Sequence, residues 1–347
     1  MRAGDLVIGV DVGGTKVAAG VVEARDGRAV IGARARGAVD PATNEGGIAS
    51  ILAVVDEAVA TLDAGQRARL AGIGVACAGN VDHVTGTLRR AANMAWRDLG
   101  IAAALRDRHG VEARVENDVN AAAWGLATFP GDAPGGSPGA SGWPANPTLA
   151  YLVVGTGIGA GVVDGGRILR GRNGGAGELG HLPGIAGAVE AAAGQVPCVC
   201  GARGCLEAVA SGPALGAAAR ARAVAGAAPR LLDRAGGDAS RIDAASVTGA
   251  AADGDPVALE LLAREGRFVA MAIAVAFRAY DPHRIVIGGG VVAAGQVVVD
   301  AIHAGIADLA VRVPHRLRDS RDWLEVQASP DDGGIIGAGA LVLFPPA

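Results

Sequence analysis

Residues 6–22 read Leu6-Val7-Ile8-Gly9-Val10-Asp11, then Val12-Gly13-Gly14-Thr15-Lys16, then Val17-Ala18-Ala19-Gly20-Val21-Val22. The outer runs are rich in β-branched residues and the middle run holds paired glycines. The stretch therefore predicts a strand, a glycine turn and a second strand. Asp26-Gly27 follows as the signal for a second hairpin turn before another short strand.

The same pattern returns at residues 149–170, where a Val- and Leu-containing strand leads into the run GTGIGAG at 155–161. In both copies six residues separate the turn glycine from the glycine that opens the next strand, and the copies lie 141 residues apart. This spacing predicts a duplicated domain whose two glycine turns face one cleft. Coincidence in a chain with 56 glycines is the alternative. Because strand and helix patterns alternate between the copies, the class is α/β.

Composition excludes several classes of protein. Half of the 347 residues are apolar. The net charge is −4, so the chain offers no basic field for binding nucleic acid. The longest apolar run, residues 268–277, is shorter than the ~18 residues that a membrane helix needs. Asp5 precedes any apolar stretch that could form a signal peptide. We expect a soluble cytoplasmic protein with no nucleic-acid or membrane partner.

The glycine turns indicate phosphate binding. Without Cβ atoms, the backbone at Gly13-Gly14 can approach phosphate oxygens closely, and its N–H groups and the Thr15 hydroxyl can donate to them. Lys16 either adds a positive charge or lies on the solvent face of the strand. Asp11 either holds Mg²⁺ through water or caps the turn. The run contains no Walker A motif, and residues 155–160 match a dinucleotide fingerprint only nominally, because a strand follows them instead of a helix.

A carboxylate stands at a predicted helix start. Glu116-Asn117-Asp118 ends a strand and precedes an alanine-rich helix. Taken alone, the segment favours Asp118 or Asn117 as the helix N-cap. The alternative is that Asp118 serves as the general base on a hydroxyl that attacks phosphorus.

A cysteine cluster indicates metal binding. Cys198, Cys200 and Cys205 lie within eight residues, and His181 precedes them in the run GELGH. Three thiolates and an imidazole form a closed, structural zinc site. A redox cluster is the alternative, and His181 is the least secure ligand on local evidence.

These motifs resemble the ROK family of sugar kinases, and bacterial glucokinases of that family in particular. The resemblance covers residues 6 to 340 or so, and it is carried by DVGGTK at 11–16, AANMAW at 91–96, ENDVNAA at 116–122, GTGIGAG at 155–161, GELGH at 177–181, CVCGARGCLE at 198–207 and IGGG at 287–290.

The resemblance implies a two-domain, actin-like ATPase fold (ribonuclease-H-like) with a cleft between the domains. Residues 1–117 would form a small α/β domain. Residues 118–333 would form a large one with a zinc-binding loop at 181–205, and a helix near 334–347 would pack back on the small domain. Family members are commonly dimers, so a homo-oligomer, dimer or tetramer, is expected.

The resemblance also implies an ATP-dependent phosphorylation of the 6-hydroxyl of a hexose, with glucose favoured. Asp118 would be the base. The sugar-binding residues would be Gly79, Asn93, Asn117, Asp118, Glu178, His181 and Glu207. Mg-ATP and its phosphates would bind Asp11, Gly13, Gly14, Thr15, Lys16, Gly155, Thr156, Gly157, Gly288, Gly289 and Gly290. A structural Zn²⁺ would bind His181, Cys198, Cys200 and Cys205.

Two segments of the chain depart from the family pattern. The segment CAGNVD at 77–82 replaces the usual Pro-Gly-Pro-Val, and the Pro/Gly-rich loop at 129–147 is unusual.

Kinases for N-acetylglucosamine, N-acetylmannosamine or fructose are alternatives to a glucokinase. A sugar-sensing regulator is less favoured, because the first hairpin begins at Leu6 and leaves no room for a DNA-binding domain. A polyphosphate donor would need a basic track, and the arginine pairs near residues 67 and 220 are too sparse to form one.

Overall fold

The computed structural model describes residues 4–91, 94–129, 146–310, 323–327 and 332–347. They fall into two compact units. The first unit comprises Met1–Tyr151, Gly161–Gly177 and Asp331–Ala347, and the second comprises Leu152–Ala160 and Glu178–Pro330. Asn93 and residues 130–145 of the predicted loop lie outside the described residues. Among the described helices, none combines the length and apolar character that crossing a membrane requires.

The strands, in chain order, are β1 (Leu6–Val12), β2 (Lys16–Arg25), β3 (Arg28–Ala38), β4 (Leu70–Cys77), β5 (Asn80–Asp82), β6 (Thr87–Arg90), β7 (Arg97–Leu99), β8 (Glu112–Asn117), β9 (Leu149–Val154), β10 (Ile158–Asp164), β11 (Arg167–Ile168), β12 (Arg284–Gly288) and β13 (Leu324–Val326). The helices are α1 (Asn44–Ala60), α2 (Ala64–Ala68), α3 (Ile101–His109), α4 (Asp118–Thr128), α5 (Glu207–Ala210), α6 (Gly212–Val224), α7 (Pro229–Arg234), α8 (Ala244–Ala252), α9 (Pro256–Tyr280), α10 (Gln296–Ala310) and α11 (Gly333–Leu343).

The main sheet of the first unit has the described order β3-β2-β1-β4-β8. β1 is antiparallel to β2 and parallel to β4, which is itself parallel to β8. The register pairs Val12 with Cys77 and Cys77 with Asn117, so the carboxyl ends of the three parallel strands form one row. Such a row is where open α/β sheets bind their ligands.

Helix α11 packs directly on the main sheet because glycines remove the Cβ atoms from the contact. A Cβ on Gly74 of β4 would lie 1.8 Å from the Ala338 carbonyl oxygen, and a Cβ on Gly9 of β1 would lie 2.1 Å from that of Ile335. The same helix meets α4, where the Trp124 indole donates to the Phe344 carbonyl oxygen at 2.9 Å. The high glycine content therefore has a packing function beside its function in turns.

These contacts explain why the compact units follow a different division from the predicted one. The prediction ends the small domain at residue 117, whereas the first unit also takes in α4 and residues 161–177. α4 lies between β8 and α11, so its apolar face is buried within that unit.

The second sheet has the described order β11-β10-β9-β12-β13. Its hairpin β9–β10 corresponds in sequence pattern to the hairpin β1–β2 of the first sheet. In the second unit, β12 runs parallel to β13, and the long helix α9 packs tightly on α10. A Cβ on Gly266 of α9 would lie 2.2 Å from the Ala301 carbonyl oxygen of α10.

We expect the Gly74→Ala substitution to lower the free energy of unfolding by about 1–3 kcal/mol, because α11 must move away from β4 to admit the methyl group. Gly175→Ala is the matched control, since a Cβ there has no neighbour within 4 Å. Urea denaturation of both variants measures the difference. Equal stability of the two would contradict the packing account.

Candidate active site and metal centre

Asn117 ends β8 and caps α4. Its Oδ1 accepts from the backbone N–H groups of Val119 and Asn120, at 3.0 and 3.1 Å. Its Nδ2 donates to the Gly79 carbonyl oxygen at 3.1 Å and to Asp118 Oδ1 at 2.9 Å. These four contacts use both lone pairs and both N–H groups of the amide. Asn117 is therefore the N-cap, and Asp118 is left as the first residue of the helix.

Asp118 stands at the positive end of the α4 dipole, and its carboxylate is partly exposed. This position favours the ionised carboxylate, which is the form that accepts a proton. The hydrogen bond from Asn117 fixes the direction of one carboxylate oxygen. A partly exposed carboxylate with a fixed orientation is suited to general-base chemistry.

Glu116 lies behind this pair and is 2% exposed. Its Oε2 accepts from Arg170 Nε at 2.6 Å, and its Oε1 accepts from the Asn117 backbone N–H at 3.0 Å and from Asn120 Nδ2 at 3.3 Å. The buried carboxylate is thus paired and hydrogen-bonded, as burial of a charge requires. It connects Arg170 to the residue that orients Asp118.

Asp11 lies near the end of β1, in the same row of strand ends. A Cβ on Gly334, in the first turn of α11, would lie 2.6 Å from the Asp11 carboxyl carbon, so the helix start approaches this carboxylate closely. Burial is the main cause that raises the pKa of the Cys77 thiol and of the Tyr151 hydroxyl, and the charges of Asp118 and Asp11 add to it in both cases. The two carboxylates therefore share one electrostatic environment in the first unit.

The first glycine turn is short and open. The Gly13 N–H donates to the Lys16 carbonyl oxygen at 3.0 Å, and the Val39 N–H donates to the Thr15 carbonyl oxygen at 3.2 Å. The side chains of Thr15 and Lys16 are exposed. The turn leaves polar groups accessible to a ligand, as a phosphate-binding turn must.

Gly79 needs to be glycine. Its φ is +130°, and a Cβ would lie 2.5 Å from the Arg90 carbonyl oxygen. Its own carbonyl oxygen is the one that Asn117 holds. The departure at residues 77–82 therefore keeps a backbone contact with Asn117 at the start of α4.

The second glycine turn lies in the second unit. The Gly155 N–H donates to the Gly157 carbonyl oxygen at 2.9 Å, and the Gly155 carbonyl oxygen accepts from the N–H of Gly212, the first residue of α6, at 2.7 Å. The loop after β12 lies beside it, because a Cβ on Gly289 would be 2.4 Å from the Val154 carbonyl oxygen. The structure thus brings residues 155–157 and 288–290 together.

Glu207 connects this turn to the histidine. Its Oε2 accepts from the Ile158 N–H at 3.0 Å, and a Cβ on Gly157 would lie 2.5 Å from that oxygen. Its Oε1 lies 3.5 Å from His181 Nε2. Glu178, three residues before His181, is exposed.

The three clustered cysteines and His181 converge. One ligand atom from each of the four residues lies within 4.8 Å of all the others. His181 Nδ1 is 3.5 Å from Cys198 Sγ, and Cys200 Sγ is 3.7 Å from Cys205 Sγ. The thiols are free, and that sulfur–sulfur distance is too long for a disulfide.

These distances fit a zinc ion. Bonds of ~2.3 Å to sulfur and ~2.0 Å to nitrogen in a tetrahedron place two sulfurs about 3.8 Å apart and a sulfur and a nitrogen about 3.5 Å apart. The loop is preformed by backbone hydrogen bonds, such as Cys198 N–H to the Ala202 carbonyl oxygen at 2.8 Å. Gly201 and Gly204 have φ values of +91° and +69°, which let the chain turn around the ligand atoms.

The structure thus assembles most of the predicted residues in two groups. Asp11, Gly79, Asn117 and Asp118 form one group in the first unit. The histidine, the cysteines, Glu207 and the two glycine loops form the other in the second unit. Neither Glu116 nor Arg170 was predicted as a site residue. The available signal was the position of Glu116 beside Asn117 in the run ENDVNAA.

Comparison with known proteins agrees with this geometry. A sequence model of the ROK family matches residues 7–344. The glucokinase of Streptomyces coelicolor is 33% identical over 305 residues, which are 86% of this chain and 86% of that protein. The glucokinase of Thermotoga maritima is 30% identical over 339 residues, which are 97% of this chain and 96% of that protein.

Solved structures extend the likeness to the fold. The crystal structure of a ROK family glucokinase from Streptomyces griseus, in complex with glucose and AMPPNP, has a TM-score of 0.78 and 32% identity. The likeness covers 97% of this chain and 99% of that chain. The predicted α/β, actin-like ATPase fold is confirmed, and the chain belongs to the ROK family.

Proposed function

We propose that this chain is an ATP-dependent kinase that phosphorylates the 6-hydroxyl of a hexose, with glucose as its substrate. The observation that carries the proposal is the Asp118 carboxylate, oriented by Asn117 at the start of α4. The names of the glucokinase relatives, and the glucose and AMPPNP bound by the Streptomyces griseus protein, support the choice of substrates.

In the proposed reaction, Asp118 accepts the proton of the 6-hydroxyl as its oxygen attacks the γ-phosphorus of ATP. The oxygen–phosphorus bond forms as the bond to the ADP leaving group breaks in line with it. Asn117 holds Asp118 and keeps the helix start in place. Its amide contacts within the protein support a role that acts through Asp118. That Asn117 also binds a sugar hydroxyl stays a prediction.

The remaining polar residues bind the sugar. The carboxylates of Glu178 and Glu207 accept from sugar hydroxyls, and the Gly79 backbone lets the ring approach closely. Such groups favour the correct polyol, because a sugar that leaves them unpaired is penalised. Asn93 has the same proposed role and lies outside the described residues.

The glycine segments bind Mg-ATP. The turn at Gly13-Gly14-Thr15-Lys16 and the loops at 155–157 and 288–290 offer N–H groups to phosphate oxygens. Asp11 would hold the Mg²⁺ of Mg-ATP through water, and this ion would supply positive charge to the phosphate groups.

His181, Cys198, Cys200 and Cys205 would hold a structural Zn²⁺, whose chemistry is to crosslink the loop that carries them. His181 faces Cys198 with Nδ1 and Glu207 with Nε2. An imidazole fixed by a metal on one side therefore orients Glu207 on the other. His181 would thereby hold the proposed sugar-binding carboxylate of Glu207 in position, and the metal would supply only the crosslink.

The direct test is ADP release from Mg-ATP in the presence of glucose, mannose, fructose, N-acetylglucosamine or N-acetylmannosamine, with a no-sugar control. We expect glucose to stimulate release most strongly. A preference for another sugar would change the assigned substrate.

Asp118→Asn tests the proposed base. We expect this substitution to lower kcat by roughly 10²–10⁴-fold with little change in sugar binding, because the proton acceptor is lost. Full activity of Asp118→Asn would exclude Asp118 as the base.

Glu116→Gln tests whether the buried carboxylate orients the base. We expect kcat to fall roughly tenfold with little change in the sugar KM, and the melting temperature to fall as well, because glutamine keeps the acceptor for the Asn117 N–H but turns an N–H donor toward Arg170 and leaves that guanidinium without its counter-charge. Glu112→Gln is the matched control on the same strand, since Glu112 is exposed and pairs with Arg114. A lower melting temperature with unchanged kcat would show a purely structural role.

Cys200→Ser tests the metal centre. We expect zinc content, measured by atomic emission, to fall well below one per chain and the sugar KM to rise roughly tenfold or more, because one of four ligands is lost and Glu207 loses its fixed neighbour. Cys77→Ala removes a cysteine outside the cluster and should keep full zinc content. Equal zinc content in both variants would contradict the site.

A further inference from the structure

A polar cavity of about 420 Å³ lies within the first unit and shares only Glu116 and Arg170 with the groups described above. It follows β8, which is the edge strand of the described sheet, and it is open to solvent. Residues of the segment 83–86, Arg106 of α3 and residues 346–347 form its other sides. Its volume falls in the range of small-molecule sites, which are ~300–1,000 Å³. We call it the arginine cavity. Its charged or titratable lining residues are His83, Arg106, Glu112, Arg114, Glu116 and Arg170.

The arginines of this cavity differ in their partners. Arg114 Nε donates to Glu112 at 2.8 Å, and Arg170 Nε donates to Glu116 at 2.6 Å. Arg106 makes one long contact, from Nη1 to the Ala113 carbonyl oxygen at 3.4 Å, and in the described part of the chain it has no carboxylate partner. Among the described residues, the cavity therefore holds one exposed guanidinium that pairs with no carboxylate, beside two whose Nη groups retain donor capacity.

His83 adds a polar group without adding charge. Burial and the nearby Arg170 lower the pKa of its imidazole, while Glu116 and Asp82 oppose the shift. The neutral ring offers one donor and one acceptor. The carboxylate of Glu112, which is exposed, offers an acceptor for hydroxyl groups.

We propose that the arginine cavity binds a small hydroxylated phosphate monoester, and that its occupation lowers turnover at Asp118. Guanidinium forks match phosphate oxygens, and a phosphate monoester carries enough charge to engage more than one arginine. The acceptors at Glu112 and His83 suit the hydroxyl groups of the organic part. The second half of the proposal rests on the proposed kinase function.

The route to Asp118 runs through Arg170. A phosphate that draws this guanidinium toward the cavity competes with Glu116 for its Nε–H. Glu116 contacts the backbone of Asn117, and the Asn117 amide orients Asp118. The effect of the ligand is therefore a displaced base, and it should appear in kcat.

Isothermal titration of the full zinc-loaded chain with glycerol 3-phosphate tests the site and needs no kinase activity. We expect saturable binding at one molecule per chain, and about tenfold or more weaker binding to Arg106→Gln, because a charge-assisted hydrogen bond is lost. Arg108→Gln is the matched control, since Arg108 lies on the same helix and pairs with Asp56 at 2.8 Å. Glycerol should not bind, and malonate should bind more weakly.

Each result decides the proposal. Absent binding, or equal binding to the wild type and Arg106→Gln, would overturn the site, and tighter binding of malonate would overturn the phosphate assignment. With saturating sugar and Mg-ATP, glycerol 3-phosphate should lower kcat of the wild type and of Arg108→Gln, but not of Arg106→Gln. Equal inhibition of all three would place the anion at the catalytic groups and overturn the coupling. A chain that binds the anion but phosphorylates no sugar would instead count against the kinase function.

Discussion

The start of α4 in the first unit depends on a single amide side chain. Asn117 caps α4 with its oxygen and holds Gly79 and Asp118 with its nitrogen. An N-cap residue has non-helical backbone angles, and Asn117 is both the last residue of β8 and the N-cap of α4. Because the cap is supplied by Asn117, Asp118 is freed from that task. The carboxylate of Asp118 is therefore available to other groups because Asn117, and not Asp118, is the N-cap of α4.

In the second unit, Glu207 likewise connects two segments with one side chain. One carboxylate oxygen holds the N–H of Ile158 beyond the glycine turn, and the other faces the histidine of the cysteine cluster. The glycine turn at 155–157 and His181 lie in different segments of the chain. The two carboxylate oxygens of Glu207 join them. In the proposed function, a structural metal at this place would fix the loop that carries the proposed sugar-binding residues. Rigid placement of such residues is what selectivity among similar sugars requires.

The sequence predicts the parts of the molecule whose signals are local. Glycine turns between strands, the helix start at Asn117-Asp118 and the spacing of the cysteines all lie within short segments, and the structure contains each of them. Contacts between distant segments carry no such signal. Nothing near Glu116 points to Arg170, 54 positions away, and nothing near Asp11 points to Gly334. The division into units was also set by a distant contact, because the packing of α4 on α11 depends on glycines such as Gly337, whose Cβ would meet the Ala121 carbonyl oxygen at 2.2 Å.

The pair of Glu116 and Arg170 is better explained by orientation than by stability. Burying two charges costs several kcal/mol each, and their attraction repays this only with good geometry and further hydrogen bonds. An apolar pair of similar volume would serve the core at least as well. What an apolar pair could not do is accept the N–H of Asn117 and the amide of Asn120 while being held from the other side by a guanidinium. The ion pair makes the position of the helix start sensitive to charge, and this sensitivity is the physical basis of the proposed coupling between the arginine cavity and Asp118.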